Sequence, residues 1–357
     1  MESFENRETT PISSLGEFGL INHLTKNIKI QNSSTKLGIG DDCAIVAYPK
    51  SQILISTDIM VEDVHFDLMY TPLKHLGYKA AMSNISDICA MNGIPKQITV
   101  GIALSSKYSL EAIEEIYAGI ILACNKHKID IIGGDTTSSK KGLFISITII
   151  GEAKKSAVSF RSGAKENDLI CVTGDLGAAY MGLQLLEREK QVFIAAPGTQ
   201  PDLQGKDYIL ERFLKPEARV DIIASFETMG IVPTSMIDIS DGLASEILHI
   251  CKSSDKGCTI YEEKIPIDQL TYETAREFNL DPTVCALNGG EDYELLFTID
   301  QKDYEKIKND PNISVIGFIS SNKDACNMIS KSETIHPLTA QGWNHMRYEN
   351  YQNPELN

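Results

Sequence analysis

Residues 52–105 read QILISTDIMVEDVHFDLMYTPLKHLGYKAAMSNISDICAMNGIPKQITVGIALS. The first ten residues (52–61) and the last ten (96–105) are rich in β-branched side chains and bounded by Pro, Gly or Ser, which predicts two strands. Between them, residues 72–93 repeat apolar side chains at helical spacing and stop at Gly93, which predicts a helix. Residues 110–128 predict a second helix, and LFISITIIGE (143–152) another strand. After a polar, Gly-containing connection (159–177) the alternation restarts. It gives a strand in LICVTG, helices at 178–188 and 215–229, a β–turn–helix unit in SMIDISDGLASEILHICKSS (235–254) and a strand in YELLFTID (293–300). No fixed-period repeat accompanies it. The pattern predicts an α/β chain of two domains, 15–153 and 154–345, with loose tails at 1–14 and 346–357.

At 357 residues and 42% hydrophobic content the chain can give each domain a core. Its formal net charge is −16, with 49 acidic against 33 basic residues and no long Lys/Arg block. Nucleic acid and anionic membrane are therefore excluded as expected partners, and an anionic substrate would need cations to bridge the repulsion. The eight cysteines are scattered, without C-x-x-C or a spaced ligand set, and read as buried, reduced thiols of a cytoplasmic protein. No apolar leader or membrane-length apolar run occurs.

Most acidic residues fit a solvated surface. A smaller set falls at predicted strand ends and helix starts: Asp58 after ILIST, Asp135 in IIGGDTT, Asp238 and Asp241 flanking Ser240 in IDISDGL, and Glu291 with Asp292 in NGGEDYELLF. Asp87 shares a helical polar stripe with Ser83 and Asn84. Singly, each has a plain structural reading. Asp241 or Ser240 fits a helix N-cap, Gly133-Gly134-Asp135 a tight turn, and Asp87 a bond to a neighbouring group. Together they suggest convergence on one cleft, because buried unpaired carboxylates are costly. Oxygen donors without a His or Cys cluster suit a hard cation such as Mg2+, and Mg2+ with phosphates suits phosphoryl transfer.

The usual nucleotide motifs are absent. GTQPDLQGKD (198–207) has the wrong spacing for a P-loop, the protein-kinase motifs are missing, and GIGDDC (38–43) lacks the third glycine of a dinucleotide fingerprint and precedes a strand.

Nine blocks, in order, carry a resemblance: GEFGLI (16–21), GIGDDCA (38–44), STDIMVEDVHF (56–66), YKAAMSNISDICAMN (78–92), IIGGDTT (131–137), RSGAK (161–165), VTGDLG (172–177), IDISDGL (237–243) and LNGGEDYELLFT (287–298). With them the chain resembles the thiamine-monophosphate kinases over nearly its whole length. That family belongs to the superfamily of aminoimidazole ribonucleotide synthetase and selenophosphate synthetase. The resemblance implies an α/β fold of mixed sheets in two domains, an N-terminal ATP/Mg2+-binding one and a C-terminal one. It also implies a homodimer in which N-terminal sheets pair, and direct in-line transfer from ATP to thiamine monophosphate with Mg2+ required.

Position by position, the resemblance implies Mg2+ ligation by Asp42, Ser56, Thr57, Asp58, Asp87, Asp135, Asp238 and Asp241. It implies ATP contacts from Tyr117, Gly134, Asp135, Arg161 and Ser240, and thiamine-phosphate contacts from His65, Glu291 and Trp343. Asp87, Asp135, Arg161 and Asp241 would carry the catalysis. An arginine can fork onto phosphate oxygens, and an aromatic such as Trp343 can stack on a cationic thiazolium. By residue pattern alone, Tyr117 also fits a core position, His65 a structural histidine and Trp343 an anchor for the tail. Asn344 stands where the family carries an acidic residue, and residues 188–215 match poorly. Rival readings are another ATP-dependent enzyme of the superfamily, or a non-catalytic nucleotide-binding maturation scaffold.

Overall fold

The computed structural model describes residues 23–37 and 45–341. After a short antiparallel pair, β1 (Thr35–Leu37) with β2 (Ile45–Val46), come β3 (Gln52–Val61), β4 (Ile94–Leu104), β5 (Asp130–Ser138) and β6 (Leu143–Ala153). These four form one sheet in the order β3-β6-β4-β5, antiparallel except for the parallel β4–β5 pair. The alternation along β3 tells which face is covered. Leu54 and Met60 are buried, whereas Ile53, Ile55 and Ile59 are 41%, 68% and 56% exposed. Helices α1 (Leu73–Ala90) and α2 (Leu110–His127) cover the buried face; among the described residues the other is open along β3, with Ser34, Thr35 and Tyr48 packed on its Gln97 end.

The two helices cross at glycines. A Cβ on Gly77 would sit 1.9 Å from the Ile116 carbonyl oxygen, and one on Gly119 would sit 1.9 Å from that of Lys74. Helix α2 begins with the Ser109 hydroxyl accepting from the Ala112 N–H at 3.4 Å and ends at Lys128 in the left-handed conformation.

The chain then builds a second sheet from β7 (Leu169–Thr173), β8 (Ser235–Asp238), β9 (Gly257–Tyr261), β10 (Leu295–Ile299), β11 (Ile313–Ser320), β12 (Cys326–Ile329) and β13 (Ile335–Pro337). Their order is β13-β12-β9-β11-β7-β10-β8, with a parallel β12–β9 pair among antiparallel ones. Around it lie α3 (Ala178–Ala195), α4 (Asp207–Leu214), α5 (Val220–Met229), α6 (Leu243–Ser254), α7 (Gln269–Glu277), α8 (Pro282–Asn288) and the single turn α9 (Tyr304–Ile307). Both faces are buried. Leu295, Phe297 and Ile299 join the core of the first sheet through α5, while Leu296, Ile237 and Val172 pack with α6. Helix α1 is thereby enclosed between the first sheet and β8, and Leu76 through Ser86 are buried without a break. The architecture is the mixed α/β one expected, with two mixed sheets. Among the described residues no helix is long and apolar enough to cross a membrane.

Several local expectations are corrected. The helix expected at 215–229 starts at Val220, because Pro216 cannot continue α4 and disfavours helical backbone at Lys215. The helix expected to end at 188 runs to Ala195. Asp58 lies inside β3 rather than at its end, and Gly133-Gly134-Asp135 lies within β5 rather than in a turn. Gly134 is required there by contact, since a Cβ would sit 2.0 Å from the Val100 carbonyl oxygen.

Gly119→Val should lower stability by about 1–3 kcal/mol, the usual effect of overpacking, because two helix backbones must separate. Urea unfolding checks this; an unchanged midpoint would contradict the close crossing.

Candidate active site

Helix α1 brings its polar stripe to the junction of the two sheets. The Ser56 hydroxyl on β3 donates to Asp87 Oδ2 at 2.5 Å, and the Asp58 N–H donates to Asn84 Oδ1 at 3.2 Å. The Ser83 hydroxyl, which donates to the Ala80 carbonyl at 3.2 Å, lies beside Asp58. One turn on, the Ser86 hydroxyl donates to Asp238 Oδ2 at 2.7 Å. Strands of both sheets thus deliver carboxylates to one helix, although Asp238 lies far along the chain from Asp58 and Asp87.

Burial and neighbouring carboxylates raise the proton affinity of Asp87 and Asp238. Burial lifts Asp87 above the usual range, and the charges of Asp238 and Asp58 lift it further. Burial also raises Asp238, opposed by the Ser86 hydrogen bond and reinforced by Asp58; burial raises Asp58 as well. The exposed Arg161 pulls Asp87 and Asp238 the other way. Beside the cluster, His65 Nδ1 accepts the Val61 N–H at 3.0 Å, and its charge reaches Asp58.

Two loops close the site on the β8 side. The Glu291 N–H donates to the Ser240 carbonyl at 2.7 Å and the Tyr293 N–H to that of Ile239 at 2.9 Å. Glu291 and Tyr293 hold φ values of 65° and 52°, a left-handed backbone that strains non-glycine residues by about 1–3 kcal/mol each. The Glu291 carboxylate is fixed by Lys79 Nζ at 2.7 Å, and this buried ammonium also lies 4.0 Å from the Phe213 ring centroid. Neither Ser240 nor Asp241 caps α6, whose N-cap is Gly242 without a side-chain bond. Instead the Asp241 N–H donates to Glu246 Oε1 at 3.1 Å, and burial pushes the Glu246 carboxyl up to about 8.

Other expected site residues lie apart from this cluster. Register places Asp58, Ile147, Val100 and Gly134 in one row across the sheet, and Ile59, Ser146, Gly101 and Asp135 in the next. Neighbouring rows face opposite sides, so Asp58 faces α1 while Asp135 and Thr57 face the open side. The edges β3 and β5 are three strand spacings apart, about 14 Å. Thr57 is bonded to Thr148 at 2.8 Å between hydroxyl oxygens, and Tyr117 is buried in the core of α2. Asp42 and Trp343 fall outside the described residues.

The donors of the cluster are hydroxyl and carboxylate oxygens, which fits Mg2+. Among the described residues, the one group of three ligand atoms within 4.8 Å of one another is made of cysteines elsewhere in the fold, so the aspartates form no all-protein cage. That spread suits Mg2+ held by one or two carboxylates at a time together with phosphate oxygens. Sequence reasoning missed Lys79, Ser86 and Glu246. Ser86 alone had a signal, as part of the stripe SNISD.

Residues 40–153 match the family described as AIR synthase related protein, N-terminal domain. The chain is 35% identical to the thiamine-monophosphate kinase of Bacillus subtilis (strain 168) over 341 residues, covering 93% of this chain and 100% of that protein. It is 35% identical to the one of Escherichia coli (strain K12) over 290 residues, covering 80% and 82%. Among solved structures, one described as AaThiL complexed with AMPPCP and TMP superposes with a TM-score of 0.71 at 29% identity, over 96% of this chain and 100% of that one. The hydrogenase maturation protein HypE in complex with ATP shares the fold, with a TM-score of 0.70 at 17% identity, over 90% and 94%.

Asp87→Asn keeps an acceptor for Ser56 and removes one of three mutually repelling charges. In EDTA its melting temperature should equal or exceed the parent's. Mg2+ at 100 times its dissociation constant should add about 2.7 kcal/mol to the parent and much less to the variant. Equal Mg2+ stabilisation of both proteins would contradict the cluster as a cation site.

Proposed function

The chain belongs to the thiamine-monophosphate kinase family, and on that premise we propose that it transfers the γ-phosphoryl group of ATP to thiamine monophosphate, giving thiamine diphosphate and ADP. The transfer is Mg2+-dependent, direct and in line. The observation that carries this reading is the meeting of Asp58, Asp87 and Asp238 around α1, beside an exposed arginine and one strained loop. Asp58, Asp87 and Asp238 with Ser56 would hold Mg2+, and Asp241 lies in the adjoining loop to add to them. Bound there, Mg2+ supplies neutralisation of the phosphate charges.

The chain's own groups do the positioning. Arg161 forks onto phosphate oxygens, and the backbone beside Ser240 borders the nucleotide phosphates. Glu291, held by Lys79, and His65 orient the thiamine phosphate, with Trp343 against its rings. That acceptor phosphate is already largely ionised at neutral pH, so alignment and charge neutralisation replace a strong general base. The nucleotide-binding part is residues 15–153, completed by 154–345. The unpaired cysteines suit a reducing, cytoplasmic location.

The open face of the first sheet supports a homodimer. Ile53, Ile55, Ile59 and Phe144 are exposed there, an apolar patch that a second copy would cover. Asp135 and Thr57 share that face, so their part in binding Mg2+ and ATP belongs to the same interface, whereas Gly134 and Tyr117 lie on the helix side of the sheet. Asp42 completes the ligand set from the N-terminal segment.

ADP release should depend on both thiamine monophosphate and Mg2+, and Asp87→Asn and Asp135→Asn should each lower turnover about 100-fold or more. Near-normal turnover in both variants would sink the metal-cluster reading, and ADP release indifferent to thiamine monophosphate would favour a nucleotide-binding scaffold. Ile55→Asp should halve the mass measured by light scattering; an unchanged mass would place the dimer contact elsewhere.

A further inference from the structure

Three cysteines that look scattered along the chain meet in space. The Sγ atoms of Cys251, Cys258 and Cys326 lie within 4.8 Å of one another. Cys251 is in the last turns of α6, and Cys258 and Cys326 are register partners on the parallel strands β9 and β12, so their side chains share one face. Gly257 permits this approach: a Cβ there would sit 2.0 Å from the Asn322 carbonyl oxygen and 2.5 Å from that of Ala325. The Cys258 N–H then bonds the Ala325 carbonyl at 3.1 Å, fixing Cys326 alongside.

Thiols commonly pack as small apolar groups, and Cys251 and Cys258 do belong to the core beneath α6. The trio differs from packed single thiols in two ways. Its sulfurs face one another, and Cys326 is only half-buried, which gives the other two a route to solvent.

We propose that Cys251, Cys258 and Cys326 form a binding site for one thiophilic d10 metal cation, held by three thiolates. A metal–sulfur bond of about 2.3 Å needs sulfurs about 3.8–4.0 Å apart, so the trio must contract by less than about 1 Å. Three S–H protons leave as three metal–sulfur bonds form. The carbonyl end of α6 points its negative dipole at this place, which favours a cation, and the flanking segments carry Lys252 and Lys256, while Lys323 pairs with Asp255 at 3.3 Å. Zn2+ would complete its coordination with a water, whereas Cu+ would not need one. The opposite end of α6 adjoins Ser240 and Asp241, so a bound ion would clamp the far end of the helix that borders the proposed phosphate site.

The test is a titration of the reduced full-length protein with Cd2+ in excess Mg2+, which occupies oxygen-donor sites. One equivalent should bind, with an ultraviolet sulfur-to-metal charge-transfer band and a rise in melting temperature. Cys326→Ser should lose the band and weaken binding on the order of tenfold or more, while Cys124→Ser, a buried cysteine of the first domain, should change neither. Displacement of Cd2+ by Zn2+ or only by Cu+ assigns the native ion. No band in the parent, the same band in Cys326→Ser, displacement by neither ion, or a Cys258–Cys326 disulfide with no Cd2+ bound would each overturn the proposal.

Discussion

Three carboxyl groups, Asp58, Asp87 and Asp238, repel one another around a single buried helix, and the layout of the molecule follows from keeping them there. Each is brought by a different element, β3, α1 and β8. Only an arrangement that clamps α1 between two sheets can hold them together. The apolar side of that clamp is the continuous core from the first sheet through α5 to Leu295 and Phe297. Burial of this core opposes the repulsion that a folded, cation-free cluster must bear.

A second group of acids in the same fold shows what a purely structural solution looks like. Glu294 is almost fully buried, yet it accepts from Arg212 at 2.9 Å, from Arg219 at 2.8 Å and from the Thr173 hydroxyl at 2.5 Å. Its neighbour Asp292 accepts the Gly177 N–H at 2.8 Å. The Glu294 charge is thus paired within the protein. The carboxyls around α1 have hydroxyl partners instead, with Arg161 and His65 as the positive groups at longer range. Buried acids left short of cations in this way are the feature that the proposed Mg2+ would satisfy from outside the chain.

The elements with strong periodicity were legible in the sequence: β3, β4, β6, α1 and α2 all lie close to where their residue patterns put them. The short strands β12 and β13 at one end of the second sheet were not, because three or four residues show no usable alternation. The polar stripe of Ser83, Asn84 and Asp87 was readable from helical spacing, and its meeting with Asp238 was a reasonable guess from strand–turn–helix grammar. The facing of Asp135 was beyond reach, since the side on which it lies depends on the register of β5 against β4 and on a bulge opposite Ile98 and Thr99. The Lys79–Glu291 pair and the cysteine trio depend likewise on contacts between distant segments, and linear spacing does not encode them.

The proposed chemistry depends on where divalent cations bind. A crystal structure with Mg2+ and a non-hydrolysable ATP analogue measures this directly. The account predicts Mg2+ bridging analogue phosphates to Asp58, Asp87 and Asp238, with Arg161 on a phosphate oxygen. Phosphates seated away from α1, with these three aspartates free of metal, would contradict it.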